Sequence, residues 1–153
     1  MNGIVRAGAD DLERLAPLFE AYLRFYRVAA DEARARAFLA ARLNAGESAV
    51  FLAQDERGDA AGFAQLYPGF TSIALAAHWT LEDLFVAPAK RRTGIASALL
   101  AHAEAFAVRT GADRLILSTA IDNRTAQRVY DAAGWMRDEA FYTYQKLLTP
   151  TRP

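Results

Sequence analysis

Apolar residues recur along the chain with two different periods. Leu12, Leu15, Phe19, Tyr22, Leu23 and Tyr26 are spaced by threes and fours, which places them on one face of a helix. Asp10-Asp11 precede that run as an N-cap with first-turn acid. Ahead of them a short apolar stretch, Ile4 to Ala7, reads as a strand. Asp31 opens a second helix that runs to about Leu43, and Asn44-Ala45-Gly46 ends it.

The period then shortens. Ala49 to Gln54 reads as a strand, Asp55-Glu56-Arg57-Gly58-Asp59 as a hairpin turn, and Ala60 to Tyr67 as the return strand. Pro68-Gly69 predicts a break, and residues 70–78 read either as loop or as an extension of a hairpin. Trp79 to Val86 predicts a strand stopped by Pro88. Gly94 to Arg109 predicts a helix whose inner face carries Ile95, Ala98, Leu99, Ala103 and Phe106. A buried strand over Leu115–Thr119, a short helix from Arg124 to Ala133 ending at Gly134, and a last strand over Phe141–Leu147 complete the chain. The order β-α-α-β-β-β-α-β-α-β predicts an α/β fold, a mixed central sheet with helices on both faces. Nothing divides residues 1–153, so one domain is expected.

Composition narrows the chemistry. At 53% hydrophobic and 24% charged residues the chain is globular in type. The absence of cysteine excludes thiolate metal sites, disulfides and a cysteine nucleophile, and two histidines leave little for an imidazole cage, so no metal is expected. Eighteen basic residues balance eighteen acidic ones, which argues against nucleic acid or an anionic membrane as partner. No signal-peptide core and no apolar run of about 20 residues is visible, so a cytoplasmic location is expected.

The stretch richest in chemistry is Leu81-Glu82-Asp83-Leu84-Phe85-Val86-Ala87-Pro88-Ala89-Lys90-Arg91-Arg92-Thr93-Gly94-Ile95-Ala96. It reads as strand, stop, basic loop, glycine, helix. A helix N-terminus offers unpaired N–H groups and partial positive charge, and Gly94 permits a tight turn. Lys90, Arg91 and Arg92 add cations there. The segment is either a phosphate cradle or a solvated basic loop. It is neither a P-loop nor a dinucleotide-binding fingerprint, since neither glycine pattern is present.

Arg91-x-x-Gly94-x-Ala96 resembles the Arg/Gln-x-x-Gly-x-Gly/Ala motif of the GNAT superfamily of acyl-CoA-dependent N-acetyltransferases. Asn123-x-x-Ala126-x-x-x-Tyr130-x-x-x-Gly134-Trp135 resembles that family's second motif. The Leu-Glu-Asp strand is similar, more weakly, to that of the spermidine/spermine and related small-amine enzymes. Arg92 stands where many members have glycine, and Ala96 replaces the second motif glycine while keeping its N–H.

The resemblance implies acetyl-CoA as co-substrate. The backbone of Phe85 and Val86 would bond the pantetheine arm, and the amides of Arg91, Arg92, Thr93, Gly94, Ile95 and Ala96 would hold the pyrophosphate. Asn123 is either a further cofactor contact or the N-cap of its helix. Tyr130 stands at the family's general-acid position. Glu82 is the candidate base or water-holder and also a substrate contact; alternation puts the neighbouring Asp83 on the opposite face. Tyr22 and Tyr26 are candidate walls of the acceptor pocket, with Phe25 between them. Asp31 and Glu32 read as a helix cap in preference to an attractor for a cationic amine, His78 reads equally as structural or functional, and His102 as packing on the long helix. Tyr142 and Tyr144 alternate on the last strand and are further candidates to border the pocket.

The implied activity is direct transfer of an acetyl group to a primary amine, a small molecule such as a polyamine. A non-catalytic acyl-CoA sensor and a protein or peptide acetyltransferase are the alternatives. Dimerisation is common in such proteins, and a homodimer is a further expectation.

Overall fold

A computed structural model describes residues 3–29 and 31–148. Strand β1 (Gly3–Arg6) leads through a 3-10 turn to helices α1 (Leu12–Phe25) and α2 (Glu32–Ala45). Strands β2 (Ala49–Gln54), β3 (Ala60–Thr71) and β4 (Ala76–Val86) follow, then helix α3 (Ile95–Arg109), strand β5 (Arg114–Ile116) and helix α4 (Arg124–Ala132). The five strands lie side by side in chain order. The first three pairings are antiparallel and β4–β5 is parallel, so the sheet is mixed as expected.

Alternation along the strands sorts the core into two layers. Val50, Leu52, Phe63 and Phe85 face one way and pack on Leu15, Leu18 and Phe19 of α1 and Leu39 of α2. Phe51, Ala53, Ala64 and Leu66 face the other way and pack on Leu99, Leu100, Ala103 and Phe106 of α3. Helices therefore cover both faces. Local chemistry ends them where the sequence suggests. The Asp31 carboxylate accepts from the Arg34 N–H at 2.6 Å to cap α2, and Gly46 closes it in the left-handed region at φ 63°. Before α1, the Asp11 carboxylate accepts from the Gly8 N–H at 3.0 Å.

Three departures from the pattern have physical causes. β3 runs on through Pro68 and Gly69 to Thr71, and residues 70–78 become the tip of a long hairpin. The β2 ladder ends at Ala49↔Leu66, so beyond Leu66 one edge of β3 is free and proline costs no ladder bond there. Gly69 lies opposite His78, where a Cβ would stand 2.5 Å from the ring Nε2. Second, β5 is shorter than the expected Leu115–Thr119, since its pairing with β4 stops at Thr80↔Ile116. Just beyond, the β3–β4 register steps from Leu66↔Leu81 to Gln65↔Asp83. Glu82 is thus an extra residue, a β-bulge that bends and twists β4 away from a straight neighbour. Third, the expected last strand over Phe141–Leu147 is not formed: these residues are exposed and join no ladder. Alternation is a local signal, but a strand exists only against a partner edge, and this segment meets none within its own chain.

At Gly62 the backbone of β4 leaves β3 no room for a side chain. A Cβ there would lie 2.7 Å from the Phe85 carbonyl oxygen and 3.3 Å from Ile95 Cγ2. The obstacle is backbone, so Gly62→Ala is expected to destabilise the fold by about 1–3 kcal/mol. Urea unfolding measures this; an unchanged midpoint would mean that the two strands have slack at this point.

Candidate active site

The bulge at Glu82 decides which side chains meet. An extra residue breaks the alternation, so Glu82 and its neighbour Asp83 do not point to opposite faces, as a regular strand would require. Both line one cavity of about 390 Å³, on the side of the sheet covered by α1 and α2. Tyr22 and Tyr26 from α1 form part of its wall, and Tyr67 of β3 faces them. Phe19, Leu23 and Phe38 add apolar surface. The period of α1 supplies Tyr22 and Tyr26, one helical turn apart, with their rings edge-on at 5.0 Å. Phe25 turns elsewhere and lies under the Arg91 guanidinium, 5.4 Å from it.

Asp83 is buried, whereas Glu82 is exposed to the cavity mouth. Below Asp83 runs a polar chain. Ser48 Oγ donates to Gln65 Oε1 at 2.8 Å, and Gln65 Nε2 donates to Asp83 Oδ2 at 2.7 Å. The Tyr22 hydroxyl also bonds this carboxylate. Burial raises the Asp83 pKa above the ordinary carboxylate value; the bonds from Gln65 and Tyr22 oppose the shift, and the charge of Glu82 adds to it. Burial and then the Asp83 charge push the Tyr22 phenol upward in turn. The same two causes raise Tyr67 to about 12. The cavity thus combines aromatic walls, three phenols and two carboxyl groups. Such a lining suits a ligand with an apolar stem and a cationic end.

Beyond the cavity β4 leads into the basic loop. Past Thr80 the edge of β4 that faces β5 has no ladder partner, and the two parallel strands part. Phe85 and Val86 lie in this parted section with their side chains in the core. Two of the loop's cations are held by the protein itself. Lys90 Nζ pairs with Asp55 Oδ2 at 2.7 Å and holds that carboxylate near pKa 2. Arg91 Nε donates to the Val86 carbonyl at 3.2 Å and stacks on Phe25 and Phe85. Their side chains therefore fix the loop's shape. Positive φ at Arg92 (59°) and Gly94 (82°) turns the chain into α3, and Thr93 Oγ1 braces it by donating to the Lys90 carbonyl at 2.6 Å. The Gly94 carbonyl takes the Ala98 N–H, so the N–H groups of Ile95, Ala96 and Ser97 precede the first intrahelical bond. Space around Gly94 is open: a Cβ there would meet nothing within 4 Å.

On α4, the Asn123 Oδ1 accepts from the Ala126 N–H at 3.2 Å, so Asn123 is the N-cap of its helix. Its amide N–H groups remain for any further contact. Tyr130 is half-buried, packs on the α3 side of the core and lies 6.1 Å from the Trp135 ring. Burial and then Tyr26 raise its pKa, which keeps the phenol protonated at neutral pH. Tyr130 is not among the residues that line the cavity. The histidines stand elsewhere: His78 Nδ1 contacts Thr71 Oγ1 at 3.2 Å in the hairpin, and His102 lies against Phe51. Tyr142 and Tyr144 line no part of this cavity. Asp83, Tyr67 and Gln65 belong to the site but escape an alternating reading of the strands. The signal was present in Leu81-Glu82-Asp83-Leu84, where two polar residues in succession interrupt the alternation.

Comparison with known proteins assigns this architecture to a class. Residues 15–135 match the model of the acetyltransferase (GNAT) family. The chain is 41% identical over 141 residues to the uncharacterized N-acetyltransferase YhfO of Bacillus subtilis (strain 168), covering 92% of this chain and 94% of that protein. A crystal structure of a probable acetyltransferase is 40% identical and superposes with a TM-score of 0.91, covering 96% of this chain and 98% of the other. The aminoglycoside N-acetyltransferase AAC(6')-Iy, solved in complex with CoA, shares the fold at 24% identity and a TM-score of 0.78, over 94% and 93% of the two chains. By class, then, the protein is an acetyltransferase enzyme. It belongs to the GNAT family.

The buried carboxyl gives a test of the site's electrostatics. An acid whose native pKa is raised binds its proton more tightly folded than unfolded. The stability it confers is complete below the ordinary value of 3.8 and is lost as pH rises through the native pKa. Relative to Asp83→Asn, the wild type is therefore expected to lose stability from pH 3.8 upward. Urea titrations of both proteins between pH 3.5 and neutrality, roughly the range in which carboxyl groups titrate, measure the difference; a constant difference would show that Asp83 carries its charge without penalty.

Proposed function

We propose that the protein transfers an acetyl group from acetyl-CoA to a primary amine held in the cavity over Glu82 and Asp83, the acceptor being a small cationic molecule of polyamine type. The observation that carries this reading is the bulge, which sets two carboxyl groups on one aromatic-walled cavity beside the point where β4 and β5 part. In this reading the whole chain, residues 1–153, is one acyl-CoA N-acyltransferase domain without metal, and it acts as a homodimer.

The parted section of β4 takes the pantetheine arm through the backbone of Phe85 and Val86. The amides of Arg91 to Ala96 take the pyrophosphate, favoured by the positive end of α3. The Val86 carbonyl already accepts from Arg91, so its acceptor capacity toward the arm is shared. Asn123 acts chiefly by capping α4, which carries Tyr130.

An alkylamine has a pKa near 10.4, and its ammonium form has no lone pair to attack with. Glu82 accepts the surplus proton, directly or through water, while Asp83 adds negative potential behind it. The amine nitrogen then attacks the thioester carbonyl carbon, polarised by a backbone N–H of β4. The C–N bond forms, the nitrogen gives its second proton to water, from which Tyr130 is later reprotonated, and the C–S bond breaks. The departing thiolate takes the Tyr130 proton, which the raised pKa keeps in place until it is needed. Tyr22 and Tyr26 line the acceptor's path.

An acceptor panel of polyamines, diamines, aminoglycosides, amino acids and lysine peptides, with mass detection of the acetylated product, tests the substrate class. Polyamines and diamines should be acetylated best; acetylation of lysine peptides alone would move the protein to a peptide acetyltransferase. With a good acceptor, Tyr130→Phe is expected to lower kcat by roughly 10²–10⁴-fold with a smaller change in the KM for acetyl-CoA. A wild-type kcat in a chemistry-limited assay would remove Tyr130 from the mechanism. Glu82→Gln should depress kcat/KM near neutrality and recover part of it as rising pH supplies free amine. Parallel pH profiles for variant and wild type would leave Glu82 an electrostatic role only.

A further inference from the structure

Among the described residues, the buried polar ones are Ser48, Gln65 and Asp83. They are not scattered. The Ser48 hydroxyl, the Gln65 amide and the Asp83 carboxylate form a single chain of hydrogen bonds that ends at the cavity. Its surroundings in the sheet are apolar: Val50 stands opposite Gln65 on β2, and Ala64 and Leu66 flank it on β3. Apolar side chains would fill the same space without taking an amide, a hydroxyl and a carboxyl out of water. A polar chain here is costly to the fold, and its use lies at the end that meets the cavity.

The chain has a direction. One end of a glutamine amide accepts and the other donates. The Ser48 hydroxyl donates to Gln65 Oε1 at 2.8 Å, which leaves Nε2 to donate to Asp83 Oδ2 at 2.7 Å. Reversed, the amide would set one acceptor oxygen against another. The Tyr22 hydroxyl is a second donor to the same carboxylate. Both bonds favour its charged form, while burial and the charge of Glu82 oppose it. No answering cation stands in the wall: among the described residues that line the cavity there is no Arg, Lys or His. Arg42, whose charge reaches Tyr67, is paired with Glu47 at 2.5 Å and stacked on Phe38. The positive charge that meets Asp83 has to arrive with the ligand.

We propose that Ser48 and Gln65 are positioning residues for the acceptor: they hold the Asp83 carboxylate in place as the seat of an ammonium group, so that the cavity selects a cationic ligand over a neutral one of the same shape. Neither lines the cavity, so both act through Asp83. The register supplies the reach. Gln65 stands directly opposite Asp83 in the β3–β4 ladder, next to the bulge at Glu82. This assignment rests on the amine-acceptor reading and narrows it. The acceptor enters as an ammonium ion on Asp83 and gives up its proton to Glu82 from there.

Ser48→Ala, Gln65→Met and the double variant test the assignment, with butylamine as the ammonium probe and butanol as its neutral counterpart. Calorimetry on the CoA complex, which holds no acetyl group to transfer, measures both affinities; CoA affinity and urea unfolding are measured alongside. The wild type should bind butylamine more tightly than butanol. Each variant should narrow that preference, the double variant by about tenfold, the scale of a lost bond to a charged group, while CoA affinity holds. Replacing both partners by apolar groups of similar shape also removes their desolvation cost, so the urea midpoint of the double variant should not fall. Ser48→Ala deletes a single hydroxyl and carries the test if Gln65→Met does not fold. Affinities for butylamine and butanol that fall together would make the chain structural and overturn the proposal. An unchanged preference, or a wild type without one, overturns it as well. The amine-acceptor reading is judged apart, on the wild type with acetyl-CoA. A wild type that acetylates amines, with a preference that the variants leave untouched, removes only the roles of Ser48 and Gln65. A wild type that acetylates no amine removes the reading and this inference with it.

Discussion

One extra residue in β4 sets the geometry on which the rest depends. Glu82 has no partner in the ladder with β3, and the strand bends there. The bend ends the pairing with β5 just before it, which leaves the last residues of β4 with a free edge. The lost alternation turns Asp83 toward the same cavity as Glu82. Without the bulge the two strands would run on together and one carboxyl would face α3. A parted pair of strands and a carboxylate-lined cavity are thus two consequences of a single irregularity. Both sit next to the loop whose amides head α3.

Charge in the site is placed by burial as much as by sequence. Asp83 is enclosed and supported by Gln65, Ser48 and Tyr22, whereas Glu82 stays at the mouth. Two adjacent carboxyl groups thus stand in unlike surroundings, one enclosed by protein and one at the cavity mouth. The basic loop follows the same logic. Lys90 is neutralised by Asp55, and Arg91 stacks on two phenylalanines and bonds the Val86 carbonyl. What the loop offers outward is backbone N–H at the start of α3, with Arg91 and Arg92 both exposed beside it.

The sheet is finished unevenly. Its interior strands are sealed by α1, α2 and α3 on two faces, and Phe51, Leu52, Phe63 and Leu66 are almost wholly excluded from water. Around β5 and α4 the chain leaves apolar groups exposed, from Val108 through Met136 to Leu147. The unevenness coincides with the segment that carries Tyr130.

The helices and the order of strands were legible in the sequence because they rest on local physics: apolar spacing in α1 and α3, the Asp31 cap, the Gly46 stop. The glycine-bearing loop, the tyrosine on α4 and the family were legible too, since motifs record short-range constraints. Tertiary structure alone decided the rest. Pro68 and Gly69 read as a break, yet they sit inside β3, because only the end of the β2 ladder frees that edge. Asp83 read as facing away, because a bulge is a property of two strands in register and not of one. Asn123 read equally as ligand or cap until the Ala126 N–H was found within its reach. Residues 141–147 carry every local mark of a strand and form none. Pairing needs an edge, and the position of the nearest edge is fixed by how the whole chain has folded.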